Sequence, residues 1–386
     1  MGVSSRNGHL AAQEWVRPTT RPPAPNKSND SHERQPQLMT ETTRMPSGPV
    51  RSGDWRGPEL QQDTDNWLYT LTSADVDELH AALAHAKAAQ RLELVSPKTF
   101  ILPTFGPRLK RLTRDLSEGL GFVLLRGFPT EHPLEDVRLM YFGLSTYMGI
   151  PVAQNVKNLL VDNVRNEQGA TRGYQKNLAQ EYHSDVADMV GLLCIHPAKS
   201  GGVSKIMSAV RVHNILQEER PDLLKVLYDE PFYYTWVGEE PEGQLPFFWT
   251  HYYSWYQGRL RTRGLGGRAR AAQRDFPECP RLSQGQVEAL DYIDDIQKGR
   301  DQELSLDMDF QPGDVQVLDN SIVWHGRTAF EDSEDPAKRR HLLRTWLNYY
   351  LEPPTAPDAW GLDDALGQQS QSPKRRMFDV EVLNNW

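Results

Sequence analysis

Cysteine is scarce in this chain, with only Cys194 and Cys279 among 386 residues. The two residues lie far apart and form no Cys-x-x-Cys pair, so the sequence favours neither a disulfide framework nor a thiolate metal site. A chain without disulfides is typical of a reducing compartment. We therefore expect a cytoplasmic protein.

Long apolar runs and an excess of basic residues are also missing. No stretch approaches the roughly 18 to 20 apolar residues that a membrane span requires, and the N-terminus lacks the apolar segment of a secretory signal. The net charge is −9, so nothing favours nucleic acid as a partner. We expect a small-molecule substrate, with neither a membrane nor nucleic acid as partner, and a homo-oligomer stays open.

Composition divides the chain into three parts. Residues 1–55 are rich in proline, arginine and small polar residues, and cannot bury enough apolar surface to offset their conformational entropy. They are predicted to form a disordered tail. Residues 56–352 contain the periodic apolar segments of one folded domain. Residues 353–386 are polar again and form a predicted C-terminal extension.

The folded part begins with helices and continues with short strands. Apolar periodicity predicts helices at 73–89, 109–120 and 134–148, around a buried strand at 121–128. Further short strands are predicted at 159–164, 182–185, 191–195, 232–237, 251–256, 259–263, 304–310, 315–318, 322–325 and 342–350. This order predicts a β-rich α+β fold with a double-sheet, jelly-roll core flanked by helices, and ligands of such a core lie between its sheets.

The most informative segment is QEYHSDVAD, which contains the only His-x-Asp of the sequence. Side chains two apart on a strand project to the same face, so His183 and Asp185 would point together. Two histidines and one carboxylate form the facial triad of non-haem Fe(II) oxygenases, with open positions left for a cosubstrate and O₂. His325, which follows an apolar strand in NSIVWHGRTAF, is the candidate third ligand.

Zinc is the main competing metal, because two histidines and a carboxylate also form hydrolytic zinc sites. That alternative needs a general base beside the ion. Glu181 could be that base, but it lacks the helical His-Glu-x-x-His framing of zinc hydrolases. A second alternative keeps the fold and drops catalysis, as a jelly-roll binding protein with a vestigial triad.

Two arginines point the same way from the last predicted strand, KRRHLLRTWLNYY. Alternation places Arg340 and Arg344 on one face together with Leu342, Trp346 and Asn348. A buried arginine requires an anion, and its guanidinium matches a carboxylate in bidentate fashion. The alternative is that Arg340 forms an ordinary ion pair with Asp314, Asp319 or Asp332.

Taken together, these segments resemble the TauD/TfdA family of Fe(II)- and 2-oxoglutarate-dependent dioxygenases. The resemblance runs from about residue 121 to 351 and rests on four segments in order. These segments are GFVLLRGF, YHSD, AKSGGVSKIMS, and WHGRTAF followed by KRRHLLRTWL.

The resemblance implies a role for each matching residue. His183, Asp185 and His325 would ligate iron, and Arg340 would bind the far carboxylate of 2-oxoglutarate, with the Ser204 hydroxyl supporting it. Arg344 matches a position that meets an anionic substrate in some members, and it remains a second candidate for holding 2-oxoglutarate. The reaction would use O₂, release succinate and CO₂, and hydroxylate or otherwise oxidise an unactivated C–H of a small organic, in some members anionic, substrate.

Four further polar residues are candidates for contacting the substrate. Gln154 and Asn155 precede a predicted strand that leads to the site, Asn177 comes six residues before His183, and Asp188 follows the metal motif. Turn or capping roles are equally consistent with their positions.

Overall fold

The structure is a computed structural model. It describes residues 45–87, 92–155, 157–170, 172–237, 245–256 and 258–349. Residues 1–44 of the predicted tail and the whole predicted extension 353–386 lie outside the described residues. Among the helices that are described, none is both long and apolar enough to cross a membrane.

The strands are short and concentrate in the second half of the chain. In chain order they are β1 (Leu68–Thr70), β2 (Phe122–Arg126), β3 (Ile150–Val152), β4 (Val161–Val164), β5 (Gln180–His183), β6 (Met189–His196), β7 (Ser200–Gly201), β8 (Ser204–Ser208), β9 (Phe232–Thr235), β10 (Phe247–Thr250), β11 (Tyr253–Tyr256), β12 (Arg259–Thr262), β13 (Leu306–Met308), β14 (Val315–Asp319), β15 (Val323–Arg327), β16 (Phe330–Glu331) and β17 (His341–Asn348).

Two sheets form the core. The major sheet has seven strands in the order β1-β2-β14-β6-β17-β3, with β4 also paired to β17, and the minor sheet has four in the order β13-β8-β15-β5. Almost all neighbours are antiparallel, and β1 with β2 is a parallel pair. These two sheets are the jelly-roll core that the sequence predicts.

Helices cover the outer face of the major sheet and flank the rest. They are α1 (Gly57–Gln62), α2 (Ser73–Ala86), α3 (Phe105–Glu118), α4 (Leu134–Met148), α5 (Ala209–Glu219), α6 (Pro221–Asp229), α7 (Gly266–Asp275), α8 (Gln284–Gly299) and α9 (Asp301–Leu304). A capping box at Thr72 and Asp75 fixes the start of α2, and Ser283 with Gln286 does the same for α8.

Burial on both faces explains why the strands of the major sheet are almost continuously apolar. Along β17, Leu343 and Leu347 pack in the cluster beneath α2, α3 and α4, whereas Leu342 and Trp346 face the other way into the cluster between the sheets. Complete burial of one leucine side chain contributes about 1.5 to 3 kcal/mol. Because side chains alternate along β17, one face of the strand packs against the helices and the other faces the space between the two sheets.

The boundaries differ from the predicted ones at two informative places. The predicted strand 182–185 ends at His183, so Asp185 belongs to the following loop and the expected strand alternation does not place its side chain. At the N-terminal side, Val50 and Trp55 are buried although they belong to the predicted tail, and Trp55 packs edge-on against Phe122 with ring centroids 5.3 Å apart. The packed chain thus begins before residue 56.

Candidate functional site

The two histidines of the predicted triad meet across a pair of strands in the minor sheet. β5 and β15 are antiparallel, and His325 lies directly opposite His183. Their ring centroids are 4.4 Å apart. Residues 142 positions apart in the sequence therefore share one face of the sheet because of strand pairing.

Asp185 reaches the same place from the loop after β5. Its backbone N–H donates to the Asn320 Oδ1 atom at 3.2 Å, which fixes the loop beside β15. Its Oδ2 atom lies 3.9 Å from the Nε2 atom of His325. One ligand atom from each of His183, Asp185 and His325 can be chosen so that all lie within 4.8 Å of one another.

The histidines present the form that binds a metal. The Nδ1–H of His183 donates to the Glu181 carbonyl at 2.8 Å, which leaves the lone pair of Nε2 directed at the cluster. Burial lowers the pKa of His183, and it lowers the pKa of His325 to about 3. Both rings are therefore neutral near pH 7.

Asp185 is held as a carboxylate despite its burial. Desolvation alone would raise the pKa of Asp185, but the charge of Arg344, with its Nη1 atom 3.4 Å away, and the hydrogen bond from Trp346 Nε1 at 2.7 Å lower it overall. A buried anion with two neutral imidazoles is the donor set that suits a borderline divalent ion such as Fe(II). The side chains present thus fit the iron that the family resemblance implies.

A cavity of about 710 Å³ opens in front of the triad, between the two sheets. The triad and Ser204 line it from the minor-sheet side, and Leu192, Leu342 and Trp346 line it from the major sheet. Its charged lining is mostly basic: the arginines are Arg172, Arg268, Arg274, Arg327, Arg340 and Arg344, and the acids are Glu181, Asp185 and Asp275.

Arg340 is buried in this cavity with part of its guanidinium unsatisfied. Its Nη1 atom has no hydrogen-bond partner among the described residues, and its side chain lies over the ring of Phe330 at 5.1 Å. Burial lowers the pKa of Arg340 to about 10. An arginine in this position favours an anionic ligand.

The alternative partners of Arg340 are engaged elsewhere or contact its backbone. Asp314 pairs with Arg126 at 2.9 Å, and Asp319 accepts a hydrogen bond from Tyr349 at 2.8 Å. Asp332 accepts from the backbone N–H of Arg340 at 2.9 Å. The described contacts therefore contain none of the three side-chain ion pairs considered for Arg340.

Arg344 is held by Gln154. The Arg344 Nε–H donates to Gln154 Oε1 at 2.7 Å, and the amide of Gln154 donates back to the Arg344 carbonyl at 2.7 Å. The Arg344 guanidinium lies over the ring of Tyr174 at 4.5 Å. Gln154 is buried and is not among the residues that line the cavity, and its described contacts orient Arg344. A contact between Gln154 and the substrate stays a prediction.

The other weaker candidates lie away from the cavity lining. Asn155 bonds to Asp162 at 3.1 Å and accepts from the backbone of its own turn. Asn177 is exposed, and its carbonyl accepts from Phe330. Asp188 is buried and accepts from the backbone N–H of Tyr349 at 3.1 Å. Ser204, by contrast, lines the cavity, with its Oγ 3.4 Å from Gln316.

The sequence analysis missed Arg327, which lines the cavity with a partly unsatisfied guanidinium of its own. Its Nε–H donates to Gln180 at 3.1 Å, and its side chain stacks on Phe330 at 4.7 Å, as Arg340 also does. Burial lowers the pKa of Arg327 to about 10. The sequence contains a pattern that predicts this position, because Arg327 follows His325 by two residues on one strand and side chains two apart share a face.

Comparison with known proteins agrees with this geometry. The family model described as "Taurine catabolism dioxygenase TauD, TfdA family" matches residues 75–346. The chain belongs to the TauD/TfdA family.

Individual relatives agree with the family match. FR-33289 synthase of Streptomyces rubellomurinus (strain ATCC 31215) is 30% identical over 310 residues, which cover 76% of this chain and 88% of that protein. The taurine hydroxylase-like protein SAT17 of Stachybotrys chartarum (strain CBS 109288 / IBT 7711) is 28% identical over 315 residues, which cover 75% and 77%.

Solved structures share the fold. Asparagine oxygenase in complex with Fe(II), 3-hydroxyasparagine and succinate has a TM-score of 0.56 at 18% identity, and covers 73% of this chain and 93% of its own. The oxygenase OrfP in complex with iron and α-ketoglutaric acid has a TM-score of 0.54 at 17% identity, and covers 74% and 95%.

Family membership decides between the alternatives drawn from the sequence. The protein is an Fe(II)- and 2-oxoglutarate-dependent dioxygenase of the TauD/TfdA family. The geometry also disfavours the zinc hydrolase, which needs a general base beside the ion. The Glu181 side chain is 76% exposed, and its Oε1 atom lies 3.9 Å from Lys298 Nζ.

Proposed function

We propose that His183, Asp185 and His325 are the ligands of the catalytic Fe(II). The convergence of their ligand atoms supports this proposal, as do the neutral rings and the ionised carboxylate. Arg344 and Trp346 serve the ion indirectly, since both bond to Asp185 Oδ2 and thereby fix the carboxylate beside His325.

The far carboxylate of 2-oxoglutarate binds Arg340, with Ser204 beside it. The unsatisfied Arg340 Nη1 and its stacking on Phe330 support this assignment. Arg344 is the weaker candidate for this role, because Gln154 and Asp185 already occupy its guanidinium. When bound, iron and 2-oxoglutarate supply the O₂-dependent oxidation of a C–H bond, with release of succinate and CO₂; the protein supplies orientation and excludes water.

The primary substrate is a small organic anion. Arginines outnumber acids in the cavity lining, and Asp185, one of the three acids, serves the metal. Arg172, Arg268 and Arg327 lie in the lining in addition to Arg340 and Arg344, which are assigned above. Besides burial, the charge of Arg268 contributes to the lowered pKa of His183, so Arg268 lies near the triad. A structure of OrfP holds L-Arg, whose side chain is cationic. The charge of the present cavity favours the opposite sign.

A matched substrate panel tests this proposal. The enzyme is reconstituted anaerobically with Fe(II) and 2-oxoglutarate and then exposed to O₂, and succinate formation is measured. The compounds tested share one carbon skeleton and end in an amine, an alcohol, a carboxylate, a sulfonate or a phosphonate. We expect substrate-stimulated turnover with anionic members, reduced at least tenfold by Arg268→Gln. Arg270→Gln, on the same helix but outside the cavity lining, is the control. Stimulation by amines alone would contradict an anionic substrate.

A further inference from the structure

A second group of metal-ligand side chains lies outside the cavity, at the start of the helical layer. His80 belongs to α2, and Glu131 and His132 come directly before α4. The Nε2 atoms of the two histidines face each other at 3.0 Å, with ring centroids 4.9 Å apart. A carboxylate oxygen of Glu131 completes a set of three ligand atoms within 4.8 Å of one another.

The backbone that carries these side chains is fixed on both sides. Leu79 and Leu83 of α2 are buried in the core, and so is Val137 in the first turn of α4. A salt bridge of 2.8 Å joins Lys87, after α2, to Asp136 of α4. The three ligands are therefore brought together by packing that does not depend on them, which lowers the entropic cost of binding an ion.

The facing nitrogens can be joined in two ways. Two neutral rings can share one proton in an Nε2–H···Nε2 hydrogen bond, or both Nε2 lone pairs can bind one cation. A metal ion between the rings accepts both lone pairs. Two imidazoles, one carboxylate and a solvent-exposed fourth position match the tetrahedral ligand set that Zn²⁺ favours. Glu131 is exposed and the histidines are half-buried, so an ion has access.

We propose that His80, Glu131 and His132 form a second divalent metal site, separate from the catalytic triad and selective for Zn²⁺ or a similar borderline ion. It shares no residue with the lining of the catalytic cavity. Because it joins α2 to the segment before α4, bound metal stabilises the helical layer that backs the major sheet. It does not take part in the oxidation.

Zinc titration of two forms of the full chain tests the proposal. The first is the enzyme loaded anaerobically with Fe(II) and 2-oxoglutarate, and the second is the variant His183→Ala/Asp185→Ala, in which the catalytic site is disabled. In the variant we expect one Zn²⁺ per chain by calorimetry and a rise in Tm on adding zinc. In the iron-loaded enzyme we expect at least one Zn²⁺ per chain, because zinc also competes for the intact triad. His80→Ala and His132→Ala, each added to the variant, should weaken its zinc binding at least tenfold. His85→Ala, an exposed histidine of the same helix, is the matched control.

Two results would overturn the second site. One is zinc affinity that is unchanged in His132→Ala, and the other is zinc binding that disappears in His183→Ala/Asp185→Ala. If the histidine variants fold poorly, X-ray absorption at the zinc edge of His183→Ala/Asp185→Ala replaces them. Two imidazole ligands are expected there, and a shell of oxygen ligands alone would refute the assignment.

Discussion

Replacing Arg340 by glutamine tests the assignment of the 2-oxoglutarate carboxylate. Arg340 is 4% exposed and lines the cavity, and its Nη1 atom has no hydrogen-bond partner among the described residues. A charge-assisted hydrogen bond contributes about 1.5 to 3 kcal/mol, and the variant would also leave a buried carboxylate without its cation. A loss of about 2 to 3 kcal/mol corresponds to a rise of roughly 30- to 150-fold in the KM for 2-oxoglutarate.

The assay is initial succinate formation over a range of 2-oxoglutarate concentrations at saturating Fe(II). We expect the KM for 2-oxoglutarate to rise far more than kcat falls, since binding of the cosubstrate is what Arg340 supplies. Arg339→Gln, an exposed neighbour, is the control. If Arg344→Gln raises this KM and Arg340→Gln leaves it unchanged, the two arginines have the opposite roles and our assignment is refuted.

Three further outcomes follow from the structure. Trp346→Phe removes the 2.7 Å hydrogen bond to Asp185 and should weaken Fe(II) binding about 10- to 100-fold in anaerobic titrations. An unchanged affinity for Fe(II) would contradict the role of Trp346 in holding Asp185. Leu343→Ala, at a fully buried position, should lower the free energy of unfolding by about 2 to 5 kcal/mol in urea, and a loss well below this range would mean the site repacks. His213 is buried against Tyr228, and burial lowers its pKa to about 4. The imidazole of His213 binds a proton more readily in the unfolded chain than in the folded protein. The stability that the neutral, buried ring contributes is therefore complete above about pH 6.5 and is lost as the pH falls toward 4. His213→Gln should reduce the acid-induced loss in the free energy of unfolding over that range by about 2 to 3 kcal/mol, measured by urea unfolding at a series of pH values. If the variant and the unmodified protein have the same pH dependence, His213 is not the group responsible.

The elements that sequence patterns predict well are those in which one local rule dominates. Helix α4 has the predicted bounds 134–148, because its apolar periodicity and its Pro-preceded start agree. The alternation along β17 also places Arg344 and Trp346 in the cavity as expected. Asp185 shows where the rule fails, since the strand ends at His183 and the hydrogen bond to Asn320, rather than alternation, brings the carboxylate to the ion site.

Contacts between distant segments lie outside what local patterns contain. Gln154 bonds to Arg344 across 190 residues of sequence, and no local pattern distinguishes this role from a contact with substrate. The same applies to His80 and His132, which are 52 residues apart and meet through helix packing. Arg327 differs, because its position two residues after His325 on a strand was sufficient to predict that it faces the site.

The most direct test of the account is an anaerobic crystal structure with Fe(II) and 2-oxoglutarate, in which iron is located by its anomalous scattering. We predict one iron bound to His183, Asp185 and His325 at about 2.0 to 2.2 Å, the range of metal bonds to imidazole and carboxylate. The far carboxylate of 2-oxoglutarate should contact Arg340. Iron bound elsewhere, or bound without one of these three side chains, would contradict the account.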